Sequence, residues 1–223
     1  MSHEKPGIRK ALTLSFAQTC ISLVLSVATI IILSRLLKPA EIGVYSVAVG
    51  FVALVHMLRD FGVSEFVVQD LSLDNDVIRT AFTMNLIIAW CLAAIVFASS
   101  GLIGLFYGDP GVARVTRAMS LVFVLLPFGT THMALMKRSF RFDTILKIRL
   151  AETAVRGGTT IGLAYAGFSY MSMAWGSVAG MAALILGCEI WGWQYRVRGV
   201  SFAHWRRVMD FGWNRTIADL VMQ

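Results

Sequence analysis

The sequence predicts an all-α polytopic membrane protein, with six transmembrane helices forming one lobe and the start of a seventh. Three observations predict it. Of 223 residues, 57% are hydrophobic and 15% charged, whereas average globular domains are about 45–50% apolar and about 25% charged; the mean hydropathy is +0.70. So little polar surface cannot cover a soluble fold, and the same composition excludes disorder. The apolar residues fall in runs of roughly 20, the length that crosses a hydrocarbon core. Finally, the cations of this +7 chain sit in short clusters between those runs. That is the pattern of topology-setting loops, not of a phosphate-tracking groove, so nucleic acid is not expected as a partner.

The first span runs from about Leu12 to Leu33, between Arg9-Lys10 and Arg35. It is too long for the apolar region of a signal peptide and has no small-x-small cleavage site, so it reads as a retained helix. The second begins at Pro39, a residue suited to a first helical turn, and continues to about Phe61. After Gly62, Val63, Phe66, Val67 and Leu71 share one face, which predicts a short amphipathic helix lying on the membrane. The third span covers about Thr80 to Phe106 and ends at the turn signal "YGDPG". The fourth covers about Met119 to Met136; it contains Pro127, tolerable as a kink in a membrane helix.

A basic loop, "KRSFRFDTILKIR", then leads to a fifth span, about Leu150 to Phe168, and a sixth, Met171 to Trp193. Trp191, Trp193 and Tyr195 supply an aromatic belt at its end. A seventh segment starts near Val208 and reads as cut off at Gln223. The expected division is residues 1–200 as an N-terminal six-helix lobe and 201–223 as the beginning of a second. "WRRVMDFGWNRT" resembles "IRKALTLSFAQT" in character, as the start of a second copy would. With the N-terminus cytoplasmic, thirteen Lys and Arg flank the spans on that side and four on the other, a positive-inside bias.

Ionisable residues inside membrane spans are the natural candidates for a working site. The first candidates are Arg149, Glu152 and Arg156, at i, i+3 and i+7, on one helical stripe. Glu152 precedes Arg156 by four, the favourable ion-pair order. Arg215 and Asp219 repeat the i,i+4 arrangement in the seventh segment. Arg59, in "VHMLRDFGV" with His56 and Asp60, is a further candidate but reads chiefly as marking the end of the second helix. Glu189 reads as reaching for the interface and His132 as a packed helix residue. Gly176 and Gly180 form a GxxxG pair, as do Gly104 and Gly108, the latter overlapping a turn. Cys20, Cys91 and Cys188 behave as small hydrophobes. No metal, redox or catalytic constellation is evident, so no cofactor and no enzymatic activity are expected.

The stretch "SRLLKPAEIGVYSVAVGFVALVHMLRDFGVSEFVVQ", residues 34–69, resembles the signature region of bacterial polysaccharide flippases. These are the Wzx-type exporters of the multidrug/oligosaccharidyl-lipid/polysaccharide superfamily. The similar elements are R-L-L-x-P-x-x-x-G-x-Y and D-F-G-V, followed by "FYGDPGV" and "MKRSFRFDTILKIRLAETA". The resemblance implies two lobes of six or seven helices around a cavity, rocking between inward- and outward-open states. It implies a cargo of undecaprenyl-pyrophosphate-linked glycan moved across the inner membrane, with membrane lipid and the polysaccharide polymerase and export machinery as partners. By that resemblance this chain is an N-terminal portion. Competing readings are a cation-coupled small-molecule exporter of the same superfamily, a non-transporting scaffold of a glycan assembly complex, and a membrane-embedded glycan enzyme, which the short outward loops disfavour.

Overall fold

The computed structural model describes residues 8–59 and 75–195, and beyond them Val197, Gly199, 201–203 and Trp205; side chains in the first stretch are defined from Thr13 to His56. Among these residues there are six α-helices, one 3-10 turn and no strand. They are α1 (Ile8–Leu36), α2 (Pro39–Arg59), α3 (Asn75–Tyr107), α4 (Pro110–Arg138), α5 (Phe142–Tyr165) and α6 (Met171–Trp191), with the 3-10 turn at Trp193–Tyr195. The surface helix expected after Gly62 and the seventh segment lie outside the described residues.

All six expected spans are helices, but several begin earlier than their apolar runs. α3 starts at Asn75 rather than Thr80, and α4 at Pro110 rather than Met119. α5 starts at Phe142 rather than Leu150, so most of the expected basic loop is helix. Apolarity marks where hydrocarbon lies; the helices continue through their polar first turns. At α4 the cause is local: the Asp109 carboxylate accepts the Gly111 N–H at 2.6 Å, and Pro110 occupies the first turn, an N-cap followed by the proline that suits it.

Three turns close on the same pattern. Asp109 N donates to Gly104 O at 3.1 Å, Arg141 N to Met136 O at 3.0 Å and Phe168 N to Leu163 O at 3.0 Å. These are six-to-one bonds of the Schellman type, which need a left-handed residue just past the helix. Gly108 (φ 66°) and Gly167 (φ 83°) supply it at two of them, and Phe140 (φ 55°) at the third.

Among the described residues, five helices are long and apolar enough to cross a membrane by length and composition. α5 is not, because any eighteen-residue window within it contains Arg149, Glu152 and Arg156. α4 is central: 72% of its apolar window is buried, against 6% for α1. α2, α3 and α6 pack around α4, α5 packs on α6, and α1 lies along α5. The core holds Val52, Val96, Val115 and Phe123. Leu102, Leu105 and Phe106 are exposed on the outside, as a lipid-facing surface requires. Polar groups are joined between helices, Asn85 Nδ2 donating to Thr130 Oγ1 at 2.8 Å and Nε of the exposed Arg117 to Oγ of the buried Ser100 at 3.0 Å.

Candidate functional site

The candidate site sits on α5. One carboxylate lies between two guanidiniums: Arg149 Nη1 donates to Glu152 Oε2 at 3.0 Å, and Arg156 Nη2 donates to Glu152 Oε1. The Glu152 side chain is 5% exposed, while those of Arg149 and Arg156 are 38% and 52% exposed. The carboxylate is therefore sequestered and the arginines are not. Each guanidinium has five N–H donors and bonds Glu152 through one nitrogen, so donors remain toward the outside. The cluster carries one net positive charge.

Its depth follows from where the helix begins. Arg156 is fourteen residues past Phe142, about 21 Å along the axis at 1.5 Å per residue. From the expected start at Leu150 the same residue would lie in the second turn. The early start of α5 thus carries the stripe to mid-helix, away from its end.

α6 holds Arg156 in place through the absence of side chains. A Cβ on Gly180 would stand 2.9 Å from the Arg156 Cβ and 3.2 Å from its Nε. A Cβ on Gly176 would stand 3.0 Å from the Arg156 carbonyl, and Thr160 Oγ1 donates to that same carbonyl at 2.7 Å. The GxxxG pair is therefore a close helix contact, and its partner is the arginine turn of α5. On the opposite flank, Gly157 meets α1, where a Cβ would lie 2.8 Å from Thr29 Oγ1. Gly104 is also a close contact, 2.8 Å from a built Cβ to the Ala113 Cβ, while Gly108 serves the turn.

Arg149, Glu152 and Arg156 are thus brought together as their spacing predicts. Arg215 and Asp219 lie outside the described residues. Arg59 ends the described part of α2, and its side chain and Asp60 lie outside the described part. His56, expected to face them, places its ring 4.5 Å from the Phe123 ring. Glu189 does not only reach for the interface; its Oε1 is 3.9 Å from His132 Nε2. Cys188 is buried, and Cys20 and Cys91 face outward.

Sequence reasoning missed Glu41. Its carboxylate accepts Lys38 N at 2.8 Å, capping α2, and Ser169 Oγ at 2.6 Å, tying α2 to the α5–α6 turn. The available signal was an acid three residues after Lys38, the position just before the helix.

The fold and this stripe define an all-helical, multi-pass membrane protein with an ion-paired cluster at mid-helix on α5. A family model described as "Polysaccharide biosynthesis protein" matches residues 32–223, and the chain belongs to that family. It is 29% identical over 156 residues to the lipopolysaccharide biosynthesis protein WzxC of Escherichia coli K12, covering 70% of this chain and 31% of that one. It is 28% identical over 126 residues to an uncharacterized membrane protein in the cps region of Klebsiella pneumoniae, covering 56% and 26%. It is 26% identical over 149 residues to the succinoglycan biosynthesis transport protein ExoT of Rhizobium meliloti, covering 67% and 30%. The chain spans about a third or less of the length of these curated relatives. No solved structure matches it. The likeness to Wzx-type proteins drawn from the motifs is thus borne out at the level of the family.

Proposed function

We propose that this chain is the N-terminal lobe of a flippase that moves lipid-linked polysaccharide repeat units across the bacterial inner membrane by alternating access. The N-terminus is cytoplasmic, and the chain acts as a transporter, not an enzyme. The observation that carries the reading is the Arg149–Glu152–Arg156 stripe: a net cation at mid-helix in a largely apolar chain. A diphosphate-linked glycan is anionic at its carrier end. Guanidiniums match phosphate oxygens in geometry and charge, and Glu152 holds both side chains ready while leaving donors over. The names of two relatives, a lipopolysaccharide biosynthesis protein and a succinoglycan biosynthesis transport protein, support this cargo class. Residues 201–223 belong, on this reading, to a second lobe that closes the cavity, where Arg215 and Asp219 complement the stripe.

The intact protein reconstituted in liposomes tests it. A fluorescent undecaprenyl-pyrophosphate oligosaccharide on the inner leaflet should become accessible to an external glycosidase. Accessibility no faster than in protein-free liposomes refutes the proposal.

A further inference from the structure

α4 carries two exposed arginines, Arg114 and Arg117, about one turn apart. Each is held by a different neighbour. The Arg114 guanidinium carbon lies 5.5 Å from the centre of the Tyr170 ring, in the α5–α6 turn. That of Arg117 lies 6.0 Å from the centre of the Phe97 ring on α3, and its Nε donates to Ser100 Oγ at 3.0 Å. Ser100 gives its own hydrogen to the Phe97 carbonyl at 2.6 Å, so toward the arginine it acts as the acceptor. Among the described residues Arg114 makes no hydrogen bond or ion pair, and the two Nη groups of Arg117 make none. The acids at this end are engaged elsewhere. Asp109 accepts the Gly111 N–H, and Glu41 accepts Lys38 N and Ser169 Oγ.

The charges of α4 itself set their depth. From Arg117 to Lys137 is twenty residues, and no Asp, Glu, Lys or Arg lies between them. Twenty residues rise about 30 Å, and the hydrocarbon core is about 30 Å thick. With Lys137 at one boundary, Arg117 stands at the other, where phospholipid phosphates lie, and Arg114 is about one turn farther out. Toward the membrane interior the surface continues as Leu121 and Phe128 of α4, both exposed, with the exposed Phe97 of α3 beside Arg117. We propose that Arg114 and Arg117 bind the phosphate of an anionic phospholipid in the leaflet at the α3–α4 turn, the outer leaflet on the proposed orientation. Guanidinium forks match phosphate oxygens in geometry and charge. The two rings and Ser100 hold the forks in place beforehand, which lowers the entropy lost on binding. The acyl chains lie along Leu121 and Phe128. A free anion would use the cations and leave that apolar surface bare, so the occupant is a lipid. Two cations without a carboxylate paired to them favour a headgroup of net negative charge. The site joins α3, α4 and the α5–α6 turn, is separate from the arginine stripe on α5, and requires only that the helices span a membrane.

Native mass spectrometry of the intact protein in detergent, titrated with phosphatidylglycerol or with phosphatidylcholine of the same chains, supplies the test. The wild-type protein should bind phosphatidylglycerol more tightly than phosphatidylcholine. The double variant Arg114→Gln/Arg117→Gln should bind phosphatidylglycerol about tenfold more weakly. Arg117→Lys keeps the charge but gives up the Nε bond to Ser100 and the planar fork. It should fall between the two and guards against a folding defect in the double variant. Lys38→Gln removes another exposed cation at the same end and should leave the affinity unchanged. Inorganic phosphate added in excess should not displace the lipid. Wild-type affinity in the double variant, equal binding of the two lipids, an equal loss in Lys38→Gln, or displacement by inorganic phosphate overturns the proposal. Failure of the wild-type protein to flip glycan would overturn the transport reading and leave the lipid site standing.

Discussion

Glu152 answers two arginines with one buried carboxylate, and that imbalance sets what substitutions there do. Glu152→Gln leaves both guanidiniums facing a neutral amide. Because the arginines are 38% and 52% exposed, solvent screens much of the loss. The expected destabilisation is about 1–2 kcal/mol, read as a lower unfolding temperature in detergent; an unchanged value contradicts the pairing. The stripe was legible in the sequence because i, i+3 and i+7 are neighbours on any helix. Its partners were not. Nothing in the spacing of Arg156 points to Gly180, which comes from another helix, nor does anything in His132 point to Glu189. A single sequence shows contacts within a helix and conceals those between helices.

The elements were legible where they are apolar and less so where they are polar. The hydropathy runs locate all six helices, yet α3, α4 and α5 begin one to three turns before the runs do. Asp109 and Pro110 announce the start of α4 by cap chemistry, which "YGDPG" read as a turn already contains. The glycines separate two kinds of helix position. Gly180 and Gly176 sit against Arg156, so Gly180→Ala must displace the arginine and costs about 1–3 kcal/mol. Gly158 and Gly162 look onto open space, so alanine there is neutral or stabilises by up to about 1 kcal/mol through helix propensity. Thermal unfolding of the four single variants checks this ordering, and equal effects at Gly180 and Gly158 would contradict the close contact. Phe140 offers a converse case. It holds a left-handed φ of 55° at the end of α4, and Phe140→Gly should stabilise by about 1 kcal/mol in the same measurement.

At the scale of the whole molecule, the bundle puts Leu37–Lys38, Gly108–Asp109 and the α5–α6 turn at one end, and the start of α1, the α4–α5 turn and the start of α3 at the other. On the proposed orientation, which the cation bias supports, the second end faces the cytoplasm. In a cysteine-free background, Ser139→Cys should react with a membrane-impermeant maleimide only after the inner membrane is opened. Lys38→Cys should react in cells whose outer membrane alone is permeable; both residues are exposed. The reverse pattern would invert the topology. The likeness to polysaccharide flippases was legible because the motifs around Pro39, Pro110 and Phe140 sit at helix junctions, where cap and turn chemistry constrains the residues. On the proposed function the α5 arginines face the cargo. The most direct measurement of this is surface polysaccharide in cells whose chromosomal copy of the full-length gene carries Arg156→Ala, with the protein in the membrane quantified alongside. Parental amounts of membrane-inserted protein and loss of surface polysaccharide are expected; normal polysaccharide from that variant would contradict a cargo-facing Arg156.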